Sequence, residues 1–223
     1  MERLEQTWIR SDVRAYPPRY LVASVSERKV ILHLCADIGS DSQPYREAGY
    51  EVICVGKDIG VENYHPPANV YGVIANPPCT MFSIARTKAK TPRDLNEGMR
   101  LVKECLRIIW ECQARIENEH QRHSPLKFWA LENPATGSLR WFLGKPAFEY
   151  CASEYGHSFT KKTALWGHFN PPHRPFMEEI MQDGVRCLGG NYGKNKHLAF
   201  SKDGGGKAVC APKFAKAFFE ANP

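Results

Sequence analysis

Two polar side chains in this sequence follow short apolar runs and carry groups capable of covalent chemistry. The first is Cys79, which comes after the run 72–75 (GVIA) and a rigid Asn-Pro-Pro turn at 76–78. The second is Glu132, which comes after the run 128–131 (FWAL). If both runs are buried parallel strands, their carboxyl ends meet at one edge of a sheet, where open α/β sheets bind ligands. Cys79 is therefore the candidate nucleophile, with Glu132 as the second candidate for chemistry.

Each of these residues also has an explanation that involves no function. A free cysteine after a strand is more often a small buried thiol than a nucleophile. A glutamate in the same place is harder to explain by packing, because burying an unpaired carboxylate is costly. The two residues together are thus more informative than either alone.

Several stretches of the chain resemble the cytosine-C5 DNA methyltransferase family. Residues 76–79 (NPPC) with Phe82 and Ser83, and residues 131–134 (LENP), are similar to the family's Pro-Cys and Glu-Asn motifs. A strand-turn-helix near the amino end and the segment 210–219 extend the likeness in the family's order. The resemblance implies an α/β, Rossmann-like methyltransferase fold, with a mostly parallel central sheet and helices on both faces.

The resemblance also implies which residues act on cytosine. The thiolate of Cys79 would add to C6, so that C5 becomes an enamine-like carbon able to attack a one-carbon donor. Glu132 would hydrogen-bond N3 and the exocyclic amine, and Asn133 would steady the loop. Lys162 takes one arginine position of a strand that resembles the family's Gln-x-Arg-x-Arg motif, and it would support the O2 side or the phosphate of the base. The expected catalytic residues are therefore Cys79, Glu132, Asn133 and Lys162.

Residues around the Cys79 loop are the expected substrate contacts. They are Pro78, Ser83, Arg86 and Lys88. The basic run 86–90 (RTKAK) either holds a phosphate backbone or is a solvated loop, and the sequence leaves both open. In the region 169–207 family members insert a target-recognition domain, whereas this chain has only a Pro/Gly-rich loop region.

The expected S-adenosylmethionine site departs from the family in two places. The predicted cofactor-binding residues are Cys35, Asp37, Ile38, Gly39, Asp58, Ile59 and Asn76. Asp37 replaces a loop glycine, and its carboxylate either crowds the carboxylate of the cofactor or faces the ammonium group. Gly56 stands near the place of the acidic residue that binds ribose, and Asp58 follows the strand 50–55 so closely that no helix fits between them.

Composition sets the remaining expectations. With 223 residues and 43% hydrophobic side chains, the chain predicts one domain over 1–223, in which 1–28 is a lead-in segment. Eight cysteines without a C-x-x-C predict reduced thiols and no metal site. No apolar run approaches the roughly 18–20 residues that span a membrane, so we expect a cytoplasmic protein. The net charge of +6 favours phosphate contacts, although such an excess is common among other proteins.

Three functions follow from this pattern. The leading hypothesis is a cytosine C5-methyltransferase-like enzyme that acts on DNA or on a cytosine nucleotide, either alone or with a partner protein that selects the target. The second keeps Cys79 as nucleophile but uses a different or modified one-carbon donor. The third is a catalytically inactive nucleic-acid-binding or regulatory module derived from a methyltransferase.

Overall fold

The computed structural model describes residues 28–36, 38–67, 69–86, 89–114, 126–156, 161–174 and 210–223. Two predicted site residues, Asp37 and Lys88, lie outside these ranges. So do the predicted lead-in segment 1–28, apart from Arg28, and most of the region 169–207. Within the described ranges, none of the helices combines the length and apolar character that crossing a membrane requires.

The described residues form one sheet with helices packed against it. The strands are β1 (Val30–Leu34), β2 (Glu51–Val55), β3 (Val70–Ala75), β4 (Phe128–Pro134), β5 (Phe148–Cys151) and β6 (Lys162–His168). The α-helices are α1 (Gln43–Glu47), α2 (Leu95–Ala114), α3 (Arg140–Leu143) and α4 (Pro212–Ala221), with 3-10 turns at Ser40–Ser42 and Ala152–Tyr155. The α/β class predicted from the sequence is confirmed.

The six strands lie in the order β2-β1-β3-β4-β6-β5. Strands β2, β1, β3 and β4 pair in parallel, whereas β6 runs antiparallel to both β4 and β5. The sheet is therefore mixed, where the sequence predicted a mostly parallel one. Because β6 runs against β4, β6 begins at the edge where β1 to β4 end, and this edge carries the candidate site.

Alternation along the strands divides the core between the two faces of the sheet. In β1, Leu32 and Leu34 pack in one cluster and Ile31 packs in the other. The first cluster includes the buried stripe of α2, whose members recur at helical spacing: Val102, Cys105, Ile108 and Ile109. The second includes Tyr45 of α1 and Phe214 of α4. Burying a large apolar side chain of this kind stabilises the fold by about 1.5–3 kcal/mol, so helices must cover both faces of the sheet.

The end of α4 is held to the sheet by a buried asparagine. The side chain of Asn222 donates to the carbonyls of Asn170 (2.9 Å) and Phe218 (3.0 Å) and accepts from the Asn170 amide (2.8 Å). The hydroxyl of Tyr45 in turn donates to the Asn222 carbonyl at 2.8 Å. These bonds fix α4 over the face on which the candidate site opens.

We expect Asn222→Ala to lower the free energy of unfolding by about 1–3 kcal/mol, because the variant leaves buried backbone groups without partners. Urea denaturation followed by circular dichroism measures this change. Glu220→Ala is the matched control, since Glu220 forms an exposed ion pair with Lys216, and its change should stay within about 0.5 kcal/mol. Equal losses in the two variants would contradict a specific role for Asn222.

Candidate active site

The loop that carries Cys79 is a tight turn at the end of β3. The Asn76 amide donates to the Leu34 carbonyl at 3.0 Å, so the chain leaves the sheet only at Pro77. The Cys79 carbonyl then accepts from the amides of Phe82 (3.0 Å) and Ser83 (2.8 Å). The thiol of Cys79 stays half-buried at the rim of the sheet.

Asn133 joins this loop to β4. Its side chain is fully buried, and its amide donates to the Pro77 carbonyl at 3.0 Å. The sequence predicted that the strand ends at Leu131, but β4 continues to Pro134. It does so because β6 pairs with residues 132–134, with Glu132 opposite Leu165 and Asn133 opposite Ala164. Glu132 and Asn133 are therefore held by a strand rather than by a loop.

The cation beside Glu132 is Lys161, which the sequence analysis missed. The Lys161 ammonium lies 3.2 Å from Glu132 Oε1, and both groups interact electrostatically with the Cys79 thiol. The Lys161 side chain is 30% exposed and that of Glu132 is 16% exposed, and the Glu132 oxygen that faces Lys161 is itself buried. Cys79, Glu132 and Lys161 together are called the triad below.

The structure does not bring Lys162 into the triad, and its side chain is exposed. Because side chains alternate between the two faces of a strand, Lys161 and not Lys162 lies on the same face as Glu132. Glu132 lies on the same face as Leu165, its partner in β6, and residues two apart in a strand share a face. Counting back from Leu165 by two gives Thr163 and then Lys161. Predicting Lys161 from this alternation requires the register between β4 and β6, which the sequence alone does not supply.

Burial and charge set the protonation of the triad. Burial raises the pKa of Cys79, as does the Glu132 carboxylate, while Lys161 lowers it. Burial also raises the pKa of Glu132, against the opposing effect of Lys161. Burial alone would lower the pKa of Lys161, but attraction to Glu132 outweighs it and leaves that pKa raised. The resting site therefore favours a protonated thiol and a carboxyl group prone to take up a proton.

This arrangement predicts opposite shifts in the reactivity of Cys79 for two substitutions. Lys161→Met removes the charge that lowers the pKa of Cys79, so the pH midpoint of alkylation by iodoacetamide should move up. Glu132→Gln removes the charge that raises this pKa, so the midpoint should move down. Peptide mass spectrometry of the Cys79 fragment over a pH series measures both.

Cys54 gives an internal reference in the same digest. Its pKa is lowered, first by a hydrogen bond with His33 and further by Arg46, whose guanidinium lies 3.5 Å from the Cys54 sulfur. Cys54 should therefore react at lower pH than Cys79 in every variant. Shifts of the same sign for Lys161→Met and Glu132→Gln would contradict the triad geometry.

A second polar cluster lies between the ends of β1 and β3. The His33 ring bonds the hydroxyl of Ser42 (2.8 Å) and the side-chain oxygen of Asn76 (3.0 Å). The side-chain amide of Asn76 donates to the Asp41 carboxylate at 3.4 Å, and this carboxylate lies 3.8 Å from the His33 ring. This is the place where the strand order reverses, and open α/β sheets bind ligands there. His33 and Asp41 are further polar residues that sequence reasoning did not single out.

Asp41 connects this cluster to the triad. It lines a small cavity between the sheet and α4 together with Glu132 and the apolar side chains of Leu165, Phe214 and Phe218. The cavity holds about 20 Å³, the room that one water molecule needs. A pyrimidine ring does not fit inside it, so a base would have to lie outside this cavity.

Several of the predicted cofactor-binding residues lie in the loops at the carboxyl ends of the parallel strands. Cys35 has a left-handed backbone (φ 55°), uncommon outside glycine, and its sulfur lies 3.8 Å from that of Cys105. Ile38 and Ile59 are exposed apolar side chains in the loops after the neighbouring strands β1 and β2, and Asp58 is exposed beside Ile59. Gly39 takes a left-handed φ of 71°. Asn76 is already hydrogen-bonded to His33 and Asp41.

The types of these residues are ones that can contact an adenine-bearing ligand, and binding of such a ligand stays a prediction. An exposed isoleucine offers apolar cover to a flat ring, and the Asp58 carboxylate, which precedes Ile59 in the chain, can accept from an exocyclic amine. The Asp41 carboxylate offers a partner to an ammonium group. Residues 56–60 form a turn closed by the Gly60 amide on the Gly56 carbonyl at 2.9 Å, and residues 61–67 and 69 contain no helix, as the spacing predicted.

The predicted substrate contacts lie on the Cys79 loop itself. Pro78 is exposed, and the Ser83 hydroxyl accepts from the Ala85 amide at 3.1 Å. The Arg86 guanidinium donates to the Pro92 carbonyl (2.8 Å) and the Thr91 hydroxyl (2.7 Å). Ser83 and Arg86 thus shape the loop, and substrate contact by them stays a prediction.

Comparison with known proteins adds no assignment. A scan against protein-family models matches no family, and a search of curated proteins finds no match.

Proposed function

We propose that the chain is a cytosine C5-methyltransferase-like enzyme with a Rossmann-like methyltransferase fold, acting on DNA or on a cytosine nucleotide. The triad carries the proposal: at the carboxyl end of the sheet, an ammonium group pairs with a buried carboxylate at 3.2 Å, and both act electrostatically on a half-buried thiol. Packing alone does not explain a half-buried carboxylate and ammonium pair beside a thiol, because desolvating such charges is costly.

In this proposal, Cys79 acts as a thiolate on cytosine. Its sulfur forms a bond to C6, and the electron pair displaced toward the ring makes C5 nucleophilic. Glu132, whose pKa is raised by burial, donates its proton to N3 as the sulfur adds. After C5 gains a one-carbon group, the C5 proton passes to water and the S–C6 electron pair leaves with the sulfur, so that Cys79 is regenerated as a thiolate. The N3 proton returns to the Glu132 carboxylate, which restores the acid for the next turnover.

The protonation of Glu132 also activates the nucleophile. An ionised Glu132 raises the pKa of Cys79, while Lys161 lowers it. When Glu132 carries a proton, Lys161 is the charge that remains beside the sulfur, and the thiolate is favoured. Lys161 thus favours the thiolate form of Cys79. After Glu132 has donated its proton and become ionised, Lys161 also balances the negative charge of Glu132.

The cofactor would lie over the ends of β1 and β2. Ile38 and Ile59 would cover the adenine, Asp58 would accept from its amine, and Asp41 would face the ammonium group. S-adenosylmethionine bound there would supply the methyl group.

The experiment is incubation of the chain with S-adenosylmethionine and a cytosine-containing oligonucleotide or deoxycytidine monophosphate, followed by nucleoside mass spectrometry. The proposal predicts 5-methylcytosine. A different group on C5, after incubation with cell extract as a source of donors, identifies another one-carbon donor. Binding of the oligonucleotide with no modified cytosine under either condition contradicts the proposal and favours a non-catalytic module.

A further inference from the structure

Helix α3 and the Cys79 loop present large apolar side chains to solvent. Trp141 is 82% exposed, Ile84 is 60% exposed and Phe142 is 48% exposed. Single exposed apolar residues are normal on a protein surface, whereas a group of them marks a binding site.

These side chains lie on connected pieces of chain beside the candidate nucleophile. The ring of Phe142 packs edge-on against that of Phe82, with centroids 6.3 Å apart. The Ser138 amide, just before α3, donates to the Phe82 carbonyl at 3.0 Å. The Phe82 amide in turn donates to the Cys79 carbonyl, and Ile84 follows two residues later. The aromatic end of α3 therefore borders the Cys79 loop.

Two arginine side chains contact the Cys79 loop or lie on it, and backbone or hydroxyl oxygens hold their guanidinium groups. Arg93 donates to the carbonyls of Met81 (2.8 Å) and Ser83 (2.7 Å). Arg86 donates to the Pro92 carbonyl and the Thr91 hydroxyl. Among the residues that the structure describes, no acidic side chain lies within ion-pair distance of either guanidinium. Backbone oxygens orient these groups but leave their charge for an anion.

We propose that this surface, made of Ile84, Arg86, Arg93, Trp141 and Phe142, binds single-stranded nucleic acid next to the target cytosine. Bases stack on Trp141 and Phe142, and phosphates pair with Arg86 and Arg93. The inference rests on the proposed function, and it selects a polynucleotide over a free nucleotide as the substrate. A free nucleotide would reach Cys79 without needing an aromatic surface and two phosphate-binding groups beyond it.

Fluorescence anisotropy with a labelled single-stranded oligonucleotide that contains one cytosine tests this surface. Trp141→Ala should weaken binding about tenfold, within the range that one base stacked on an aromatic ring provides. Trp141→Phe should keep most of the affinity because the flat ring remains. Arg86→Gln should reduce the slope of log affinity against log salt by about 0.7, the value for one lost phosphate contact on a single strand.

Trp110→Ala is the matched control. Trp110 is 70% exposed on α2, but it lies about 22 Å along the helix from Leu95, away from the Cys79 loop. Its loss should leave binding unchanged. The proposal is overturned if Trp141→Ala binds like the parent chain, if both tryptophan variants lose affinity equally, or if a duplex binds as tightly as the single strand. Self-association through Trp141, seen by sedimentation as dimers that Trp141→Ala abolishes, would also overturn it.

This test separates the surface from the chemistry because it needs no turnover. Oligonucleotide binding that depends on Trp141 without modified cytosine would support the surface and contradict the proposed function. If the chain modifies deoxycytidine monophosphate and Trp141→Ala is fully active on an oligonucleotide, the proposed function is supported and the nucleic-acid-binding surface is contradicted.

Discussion

Cys79→Ser should abolish modification of cytosine, with a loss on the order of 10³-fold or more, while the protein stays folded. A serine hydroxyl is a far weaker nucleophile than a thiolate, and no other cysteine shares the loop at 76–86. The side chain is half-buried, so the change in the free energy of unfolding should stay within about 1 kcal/mol. Modified nucleoside per unit time, with urea denaturation alongside, measures both.

Cys112→Ser is the control for this substitution. Cys112 is a half-buried cysteine on α2, on the opposite side of the sheet from the Glu132 side chain. It should keep full turnover. If Cys79→Ser still modified cytosine at the parent rate, Cys79 would not be the nucleophile.

Glu132→Gln should lower turnover by about 10²- to 10⁴-fold, the contribution typical of a general acid or base. The amide keeps the size and hydrogen-bonding capacity of the side chain but has no acidic proton for N3. The same substitution removes the charge that raises the pKa of Cys79, so alkylation of the thiol should become easier. A variant with a more reactive thiol and a slower reaction would separate catalysis by Glu132 from an effect on the nucleophile.

Glu149→Gln on β5 is the matched control for Glu132→Gln, because Glu149 forms an exposed ion pair with Arg140 at 3.2 Å outside the triad. Its turnover should match that of the parent chain. A loss below tenfold in Glu132→Gln, measured as kcat at saturating oligonucleotide, would contradict proton donation by Glu132.

The parts of the site that depend on neighbouring residues in the chain could be predicted from the sequence. Apolar runs predicted β1 and β3, and the Pro-Pro turn predicted that Cys79 leaves the sheet at its edge. The buried residues of α2 recur at helical spacing, which is a local pattern, and the helix begins at Leu95. The start lies there because Asp94 accepts from the Glu97 amide at 3.0 Å and so caps the first turn.

The parts that were missed depend on contacts between distant segments. Lys161 reaches Glu132 only through the register of β6 against β4, which places Leu165 opposite Glu132. Asp41 joins the site because α4, far along the chain, closes the cavity that it shares with Glu132. A single sequence shows residue types and local periodicity, but it does not show register between strands.

Exchange of the cytosine C5 hydrogen with solvent tests the central claim most directly, because it needs no methyl donor. If Cys79 adds to C6 with proton donation by Glu132, C5 can take up a deuteron from D₂O and lose its proton before the sulfur leaves. The account predicts loss of the cytosine H5 proton signal in NMR spectra of an oligonucleotide incubated with the chain, and no loss with Cys79→Ser. An unchanged H5 signal with the parent chain, or equal exchange with Cys79→Ser, would contradict it.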